Sequence, residues 1–288
     1  MTDDGRIGAD ERSPEGILPG SAIEVLNPGI ERGRVRHALF DFDGTISLIR
    51  RGWQEVMAAL MVRAISETPE AGGRGEIERE VDDLIARTTG RQTVEQMAML
   101  ADEVRGRGGR PRSAEDYKAQ YLEDLARCVE ERREALRSGA IMPEALTVPG
   151  ALDAIEWLSE RGVILHIASG TDHEAVVAEA ELLGIAGRFE TIQGALPDPD
   201  AFSKAAVIDA LAKVAPGPQL VGFGDGVVET EHTAAVGSIA VGVASDERRR
   251  SGVDAWKRGR LIAAGADVIV PDFREHERMM RWLCCEEG

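Results

Sequence analysis

Two kinds of hydrophobic pattern divide the chain. Residues 48–145 carry apolar positions at helical spacing, as in WQEVMAALMVRAI and AEDYKAQYLEDLARCVEERREAL, with no convincing strand among them. After residue 146, short apolar runs of strand length alternate with amphipathic helical segments. Ahead of the helical region, VRHALFDF predicts a buried strand and AIEVL a shorter one. The chain therefore reads as two folding units, one of them interrupted by the other.

Strands and helices that alternate along a chain form a parallel sheet covered by helices on both faces. The runs VILHIAS, FETIQ, QLVGFG, SIAVGVA and DVIV supply the further strands of such a sheet. We therefore predict an α/β fold, a Rossmann-like doubly wound parallel sheet with an inserted α-helical domain. The predicted core comprises residues 21–47 and 146–288, the insert residues 48–145. Residues 1–20, rich in Gly, Asp, Glu and Pro, are predicted to be a disordered tail.

The composition of the chain limits the classes of molecule that it is expected to bind. The 288 residues carry a net charge of -17, which disfavours nucleic acid and anionic membranes because phosphate would be repelled. A small phosphorylated metabolite stays possible if a metal or local cations neutralise it. The three cysteines contain no C-x-x-C pair and cannot form a disulfide framework. No signal-peptide pattern or apolar run of transmembrane length is seen. We expect a cytoplasmic protein that is a monomer or a homodimer.

Polar residues fall where predicted strands end or helices begin. The residues are Asp41, Asp43, Gly44 and Thr45 after the first strand, Ser169 after VILHIA, Lys204 at the start of SKAAVIDAL, and Asp225 and Glu229 in GFGDGVVETE. In open α/β sheets, ligands bind at the carboxyl ends of the strands, so we expect these residues to meet. Two neighbouring aspartates either belong to a turn or hold a cation, because buried like charges repel.

Each of these residues also has a purely structural interpretation. Asp41 and Asp43 could cap a helix or close a turn, and Ser169 could be the N-cap of the next helix. Lys204 could be a solvated surface lysine. Taken one at a time the residues carry little weight, whereas the ordered set, each at the appropriate edge, favours chemistry.

The ordered set resembles the haloacid dehalogenase superfamily of aspartyl phosphotransferases over roughly residues 35–275. A helical insert after the first motif is similar to the C1 cap of phosphoglycolate phosphatase-like and β-phosphoglucomutase-like members. The resemblance implies that Asp41 is the nucleophile and Asp43 the general acid and base. It also implies that Lys204 steadies the negative charge and that Ser169 binds a phosphoryl oxygen.

The same resemblance implies a Mg²⁺ ion. Asp41 and Asp225 would bind it with their carboxylates and Asp43 with its backbone carbonyl. The family usually carries a second aspartate in the last motif, where this chain has Glu229, which the resemblance makes a metal-site residue that binds metal-bound water or pairs with Lys204. Glu231 is an alternative occupant of that role.

The implied substrate is a small phosphorylated metabolite, a sugar or polyol phosphate by family habit. Candidate substrate-binding residues are Gly44, Thr45, Gly170, Arg51 and Arg91, the last two from the insert. The predicted function is a Mg²⁺-dependent phosphatase. The alternatives are a phosphomutase on the same scaffold and a non-catalytic regulator that binds a phosphorylated metabolite.

Overall fold

A computed structural model describes residues 16–88, 93–196 and 202–285, apart from the side chains of residues 86 and 87. The chain forms two compact units. The larger contains the residues up to Leu48 and from Ile141 onward, and the smaller is Ile49–Ala140. The helices of the smaller unit are α1 (Trp53–Ser66), α2 (Arg74–Thr88), α3 (Thr93–Gly106) and α4 (Ala114–Arg137).

A seven-stranded sheet forms the centre of the larger unit. Its strands are β1 (Glu24–Val25), β2 (His37–Phe40), β3 (Ile164–Asp172), β4 (Thr191–Ala195), β5 (Leu220–Gly224), β6 (Ile239–Val243) and β7 (Val268–Val270). Their order is β1-β7-β6-β5-β2-β3-β4. Every neighbouring pair is parallel except β1 with β7. The predicted α/β fold is confirmed, and its sheet is parallel apart from this edge strand.

The antiparallel edge has a simple cause. A parallel neighbour needs a crossover connection, usually a helix. Within the described chain no helix links β1 to β2, and β1 has only two residues. It therefore adds to the free edge of β7 in the antiparallel direction.

Six α-helices of the described chain accompany the sheet in the larger unit. They are α5 (Ala151–Glu160), α6 (His173–Leu182), α7 (Lys204–Val214), α8 (Val227–Ala235), α9 (Ala255–Ala263) and α10 (His276–Cys284). Among the described residues, no helix is both long and apolar enough to cross a membrane.

The middle of the sheet holds the end of β2 in place. β2 pairs with β3 on one side and with β5 on the other. Phe40 stacks on Phe223 with 4.6 Å between ring centroids, and Phe273 packs against both. Burial of one such side chain stabilises the fold by about 1.5–3 kcal/mol. Asp41 therefore follows a strand that is fixed on both edges and by its aromatic neighbours.

Two backbone hydrogen bonds join the chain segments that flank the smaller unit. The Leu48 N–H donates to the Leu146 carbonyl at 2.8 Å, and the Val148 N–H donates to the Ile46 carbonyl at 2.9 Å. An antiparallel bridge lies between these two bonds. In the larger unit, the segment that leads into the smaller unit is thus hydrogen-bonded to the segment that follows it.

The smaller unit has a hydrophobic core of its own. Its buried members include Met57, Met61, Val81, Leu100 and Tyr121, one or more from each helix. The amphipathic patterns of the sequence account for this core, because they give each helix one apolar face.

Most of the predicted tail, residues 1–15, lies outside the described residues. The described part of it pairs with the chain around β1. The Val25 N–H donates to the Gly16 carbonyl at 2.6 Å, and the Leu18 N–H donates to the Ile23 carbonyl at 2.9 Å. Residues 16–20 therefore form part of a local hydrogen-bonded turn.

Candidate active site

A tight turn carries the two aspartates beyond β2. The Asp41 N–H continues the ladder by donating to the Phe223 carbonyl at 2.8 Å. Gly44 has a φ of 77°, in the left-handed region that glycine adopts without penalty, and its N–H donates to the Ser47 carbonyl at 2.9 Å. The Ser245 hydroxyl donates to the Gly44 carbonyl at 3.0 Å. The turn is thus fixed from within and by a residue that follows β6.

Asp41 is buried and paired with a lysine. The residue is only 7% exposed, and its Oδ1 lies 2.7 Å from Nζ of Lys204. Lys204 opens α7, where the Ser203 hydroxyl caps the helix by accepting from the Ala206 N–H at 3.1 Å. The same Nζ lies 3.2 Å from Oε2 of Glu229. The predicted nucleophile and the predicted lysine are therefore in direct contact.

Burial and charge act on this pair in opposite senses. Burial raises the pKa of Asp41 well above its usual range, and Glu229 and Asp225 add to the rise while Lys204 opposes it. Burial alone would lower the pKa of Lys204, but Asp41 and Glu229 hold it above its ordinary value. Lys204 is therefore a permanent cation, and any further cation near the cluster favours ionised Asp41.

Asp43 is held by hydroxyl groups of β3. Its Oδ2 accepts hydrogen bonds from Oγ of Ser169 at 3.3 Å and from Oγ1 of Thr171 at 2.7 Å. The Thr171 N–H in turn donates to the Ser169 hydroxyl at 3.1 Å. Alternate residues of a strand lie on one face, which explains why both hydroxyls reach one carboxylate. Gly170, between them, is exposed.

Three carboxylates gather at this edge of the sheet. Asp41, Asp225 and Glu229 each offer an oxygen, and these atoms all lie within 4.8 Å of one another. We call these three residues the acidic group. Asp225 follows β5, and its carboxylate lies so close to Gly44 that any side chain there would collide with it. The carboxylate of Asp43 is bound to β3 instead, so only its backbone could join the acidic group.

Glu229 rather than Glu231 belongs to the acidic group. Its Oε1 accepts from the Gly226 N–H at 2.7 Å, which satisfies the backbone donor at the start of α8, while Oε2 binds Lys204. Glu231 is exposed on the same helix. The longer glutamate side chain thus reaches back to its own helix start and to the lysine at once.

The donors of the acidic group are suited to a hard divalent cation. All three are carboxylates, and Mg²⁺ takes oxygen ligands, commonly one or two carboxylates completed by water and substrate phosphate. The residues present therefore fit the Mg²⁺ ion that the family resemblance implies.

The remaining predicted substrate-binding residues fall into different places. The Thr45 side chain is fully buried, and its hydroxyl has no hydrogen-bond partner within the described part of the chain. Arg51 belongs to the smaller unit, where its carbonyl accepts from Arg132 at 2.6 Å. Arg91 lies outside the described residues.

Three residues of the site escaped the sequence interpretation. Thr171 could have been found from Ser169, because a residue two positions along a strand shares its face. Lys257 and Glu247 carry no such signal. Nζ of Lys257 lies 2.7 Å from Oδ2 of Asp225 and 2.7 Å from Oε1 of Glu247, contacts that span 32 and 10 residues of sequence.

Comparison with known proteins identifies the family. The model of the haloacid dehalogenase-like hydrolases matches residues 35–240. The chain belongs to the haloacid dehalogenase-like hydrolase family. The matched segment contains every residue of the acidic group together with Asp43, Ser169 and Lys204. It ends before Glu247 and Lys257. A search of curated proteins gave no match.

Solved structures of other proteins share the fold. A protein of Haemophilus somnus 129PT, described as a predicted phosphoglycolate phosphatase, is 15% identical with a TM-score of 0.55, over 85% of this chain and 98% of that one. A proposed β-phosphoglucomutase of Thermotoga maritima is 18% identical with a TM-score of 0.56, over 88% and 100%. A family hydrolase of Deinococcus radiodurans R1, with bound phosphate and sodium, is 16% identical with a TM-score of 0.53, over 87% and 96%.

Proposed function

We propose that this hydrolase is a Mg²⁺-dependent phosphatase that acts on a small phosphorylated metabolite through an aspartyl-phosphate. The observation that carries the proposal is the contact of Asp41 with Lys204 beside a second aspartate, Asp43, that is held separately by Ser169 and Thr171. Two carboxylates with different partners can take different roles in one reaction.

In the first step a carboxylate oxygen of Asp41 attacks phosphorus. The bond from phosphorus to the leaving oxygen breaks, and Asp43 gives that oxygen its proton. Lys204 lies against Asp41 and offsets the charge of the nucleophile and of the phosphoryl group. The products of this step are an aspartyl-phosphate and the free alcohol.

In the second step water attacks the phosphorus of the aspartyl-phosphate. Asp43, now ionised, removes a proton from the water, and the bond from phosphorus to Asp41 breaks. Phosphate leaves and Asp41 is restored as a carboxylate. The Ser169 hydroxyl and the backbone N–H of Gly170 are candidate donors to the phosphoryl oxygens in both steps.

Mg²⁺ would be held by the carboxylates of Asp41, Asp225 and Glu229, directly or through bound water, with the backbone carbonyl of Asp43. Such an ion supplies positive charge that stabilises the transferring phosphoryl group. A phosphate ion in the Deinococcus radiodurans relative supports a phosphate site in this fold.

We propose a sugar or polyol phosphate as substrate, and a monomer or homodimer as the active form. The phosphatase description of the Haemophilus somnus relative supports a small phosphorylated metabolite, and the β-phosphoglucomutase description of the Thermotoga maritima relative supports a sugar phosphate. Arg51 and Arg91 are the candidates for contact with the part of the substrate beyond the phosphate.

A phosphomutase is the second candidate, and the description of the Thermotoga maritima relative favours it. In that reaction the aspartyl-phosphate passes its phosphoryl group to another hydroxyl instead of water. Asp41 and Asp43 keep the same roles in both reactions, so the products must distinguish them.

The test is phosphate release from a panel of phosphorylated sugars and polyols, with and without Mg²⁺, beside the variant Asp41→Asn. We expect release that requires Mg²⁺ and disappears in the variant. Phosphorus NMR of the same mixtures detects migration of the phosphoryl group. Migration without release would replace the phosphatase with the mutase. Neither event with any compound would leave a metabolite-binding regulator as the function.

A further inference from the structure

A second lysine is bound to the acidic group. Lys257 lies in the first turn of α9, and its Nζ donates to Oδ2 of Asp225 and to Oε1 of Glu247, each at 2.7 Å. The side chains of Lys257 and Asp225 are only 13% and 18% exposed. The contact therefore joins a candidate metal ligand to two residues beyond the segment that the family model matches.

Each carboxylate of the acidic group has a lysine partner. Lys204 binds Asp41 and Glu229, and Lys257 binds Asp225. Clustered carboxylates repel one another, and their burial is costly unless cations lie close by. The two ammonium groups thus offset much of the negative charge with charges that belong to the protein itself.

Glu247 forms a second ion pair with Lys257. Because Nζ is equally close to both carboxylates, the ammonium is shared between Asp225 and Glu247. A lysine in contact with two carboxylates stays protonated at neutral pH, because opposite charges favour its charged form. Lys257 is therefore charged, and Glu247 reduces the net positive charge that Asp225 experiences.

We propose that Lys257 is a built-in counterion that competes with Mg²⁺ for Asp225, and that Glu247 weakens this competition. The inference rests on the proposed function, which assigns Mg²⁺ to the acidic group. A cation bound to Asp225 lies close to any ammonium on the same carboxylate, and like charges at such separations repel strongly. Lys257 therefore sets the affinity for Mg²⁺ below the value that the carboxylates alone would give.

If Lys257 merely oriented Asp225, its replacement would change the Mg²⁺ affinity in the opposite direction. Partners that orient a metal-binding carboxylate strengthen metal binding, and their loss typically weakens it about 10–100-fold. Loss of a competing cation strengthens it instead. The direction of the change in Mg²⁺ affinity therefore decides between the two roles.

The experiment is calorimetric titration of the full chain with Mg²⁺ alone. The variants are Lys257→Met, Lys257→Arg and Glu247→Gln. Arg258→Met is the matched control, because it removes one positive charge and one ion pair, with Glu24, from the same helix without touching Asp225. Thermal unfolding with and without Mg²⁺ gives a second readout that does not depend on activity.

We expect Lys257→Met to bind Mg²⁺ at least about tenfold more tightly than the wild type. Its metal-free form should melt at a lower temperature, so that Mg²⁺ raises the melting temperature by more. Lys257→Arg and Arg258→Met should bind as the wild type does, and Glu247→Gln more weakly.

Unchanged or weaker binding by Lys257→Met would overturn the inference and leave the proposed function intact. If neither the wild type nor Lys257→Met bound Mg²⁺, the metal assignment of the proposed function would fall, and the inference with it. Should Lys257→Met not fold, Glu247→Gln compared with Arg258→Met still tests the sign. Tighter binding by Glu247→Gln would refute the competition.

Discussion

The hydroxyl of Thr171 donates a 2.7 Å hydrogen bond to Oδ2 of Asp43, shorter than the 3.3 Å bond from Ser169 to the same oxygen. The shorter hydrogen bond to Asp43, the proposed general acid and base, thus comes from a threonine outside the sequence motifs. Thr171 acts through Asp43, as a positioning residue.

Replacement of Thr171 by valine should lower kcat about tenfold with little change in KM. A hydrogen bond to a charged group contributes about 1.5–3 kcal/mol, part of which Ser169 retains. Steady-state phosphate release measures the effect. Thr171→Ser keeps the hydroxyl and should restore most of the rate. A Thr171→Val enzyme as fast as the wild type would show that Ser169 alone positions Asp43.

Gly44→Ala should disable the metal site as well as strain the turn. The new Cβ would lie 2.7 Å from Cγ of Asp225, in addition to the cost of a φ of 77°. Gly162→Ala is the matched control, since its φ is 72° and its Cβ would meet nothing within 4 Å. Urea unfolding should show a loss of about 1–2 kcal/mol in the control. Gly44→Ala should lose more, and should also lose Mg²⁺ affinity in titrations. Equal behaviour of the two variants would contradict the close approach to Asp225.

Glu229→Asp tests the departure of this chain from the usual family pattern. An aspartate is one methylene shorter and cannot reach both the Gly226 N–H and Lys204. We expect a loss of about 1 kcal/mol in unfolding free energy from the weakened cap, and a kcat lowered about tenfold. Glu231→Asp, on the exposed face of the same helix, should change neither quantity. An undiminished Glu229→Asp enzyme would mean that the extra length of the glutamate is not used.

The buried histidine of β3 should make the fold sensitive to acid. Burial, assisted by the charge of His37, lowers the pKa of His166 from 6.5 to about 4. Between these values the unfolded chain binds a proton that the folded chain does not, so the unfolding free energy falls as the pH falls. Above 6.5 the effect is absent.

Urea midpoints at several pH values across that window measure this dependence. His166→Gln keeps a polar partner for the Thr191 hydroxyl, which lies 2.8 Å from the histidine ring, but cannot titrate. Its midpoints should therefore depend less on pH than those of the wild type. If the urea midpoint varied with pH equally in the wild type and in His166→Gln, protonation of His166 would not be coupled to folding.

Local pattern explains how much of the site could be predicted. Asp41 and Lys204 stand at a strand end and a helix start that hydrophobic periodicity reveals, and parallel strands bring such positions together. Ser169, expected just after a strand, lies within β3, which continues to Asp172. The sequence pattern does not predict helix α10, although Met279, Met280 and Leu283 give it a buried face. Its short apolar stretch between charged residues is a weak signal before helix α5, against which it packs, is known.

Local sequence pattern does not predict ion pairs between residues that are distant in the sequence. Lys257 and Glu247 sit in a polar stretch that looks like solvated surface, and only the placement of α9 beside β6 brings them to Asp225. The antiparallel course of β1 has the same character, because it depends on which sheet edge is free. Sequence separation, rather than chemistry, limits such predictions.

The pair of hydrogen bonds that joins Ile46 and Leu48 to Val148 and Leu146 has a topological consequence. These bonds make the two flanking segments a small hairpin, and the whole smaller unit is the loop of that hairpin. Lengthening a loop whose ends are already fixed costs little additional entropy, because the cost grows only with the logarithm of its length. A short turn could close the same hairpin, so the pairing that joins the two segments of the larger unit does not depend on the length of what is inserted at this point.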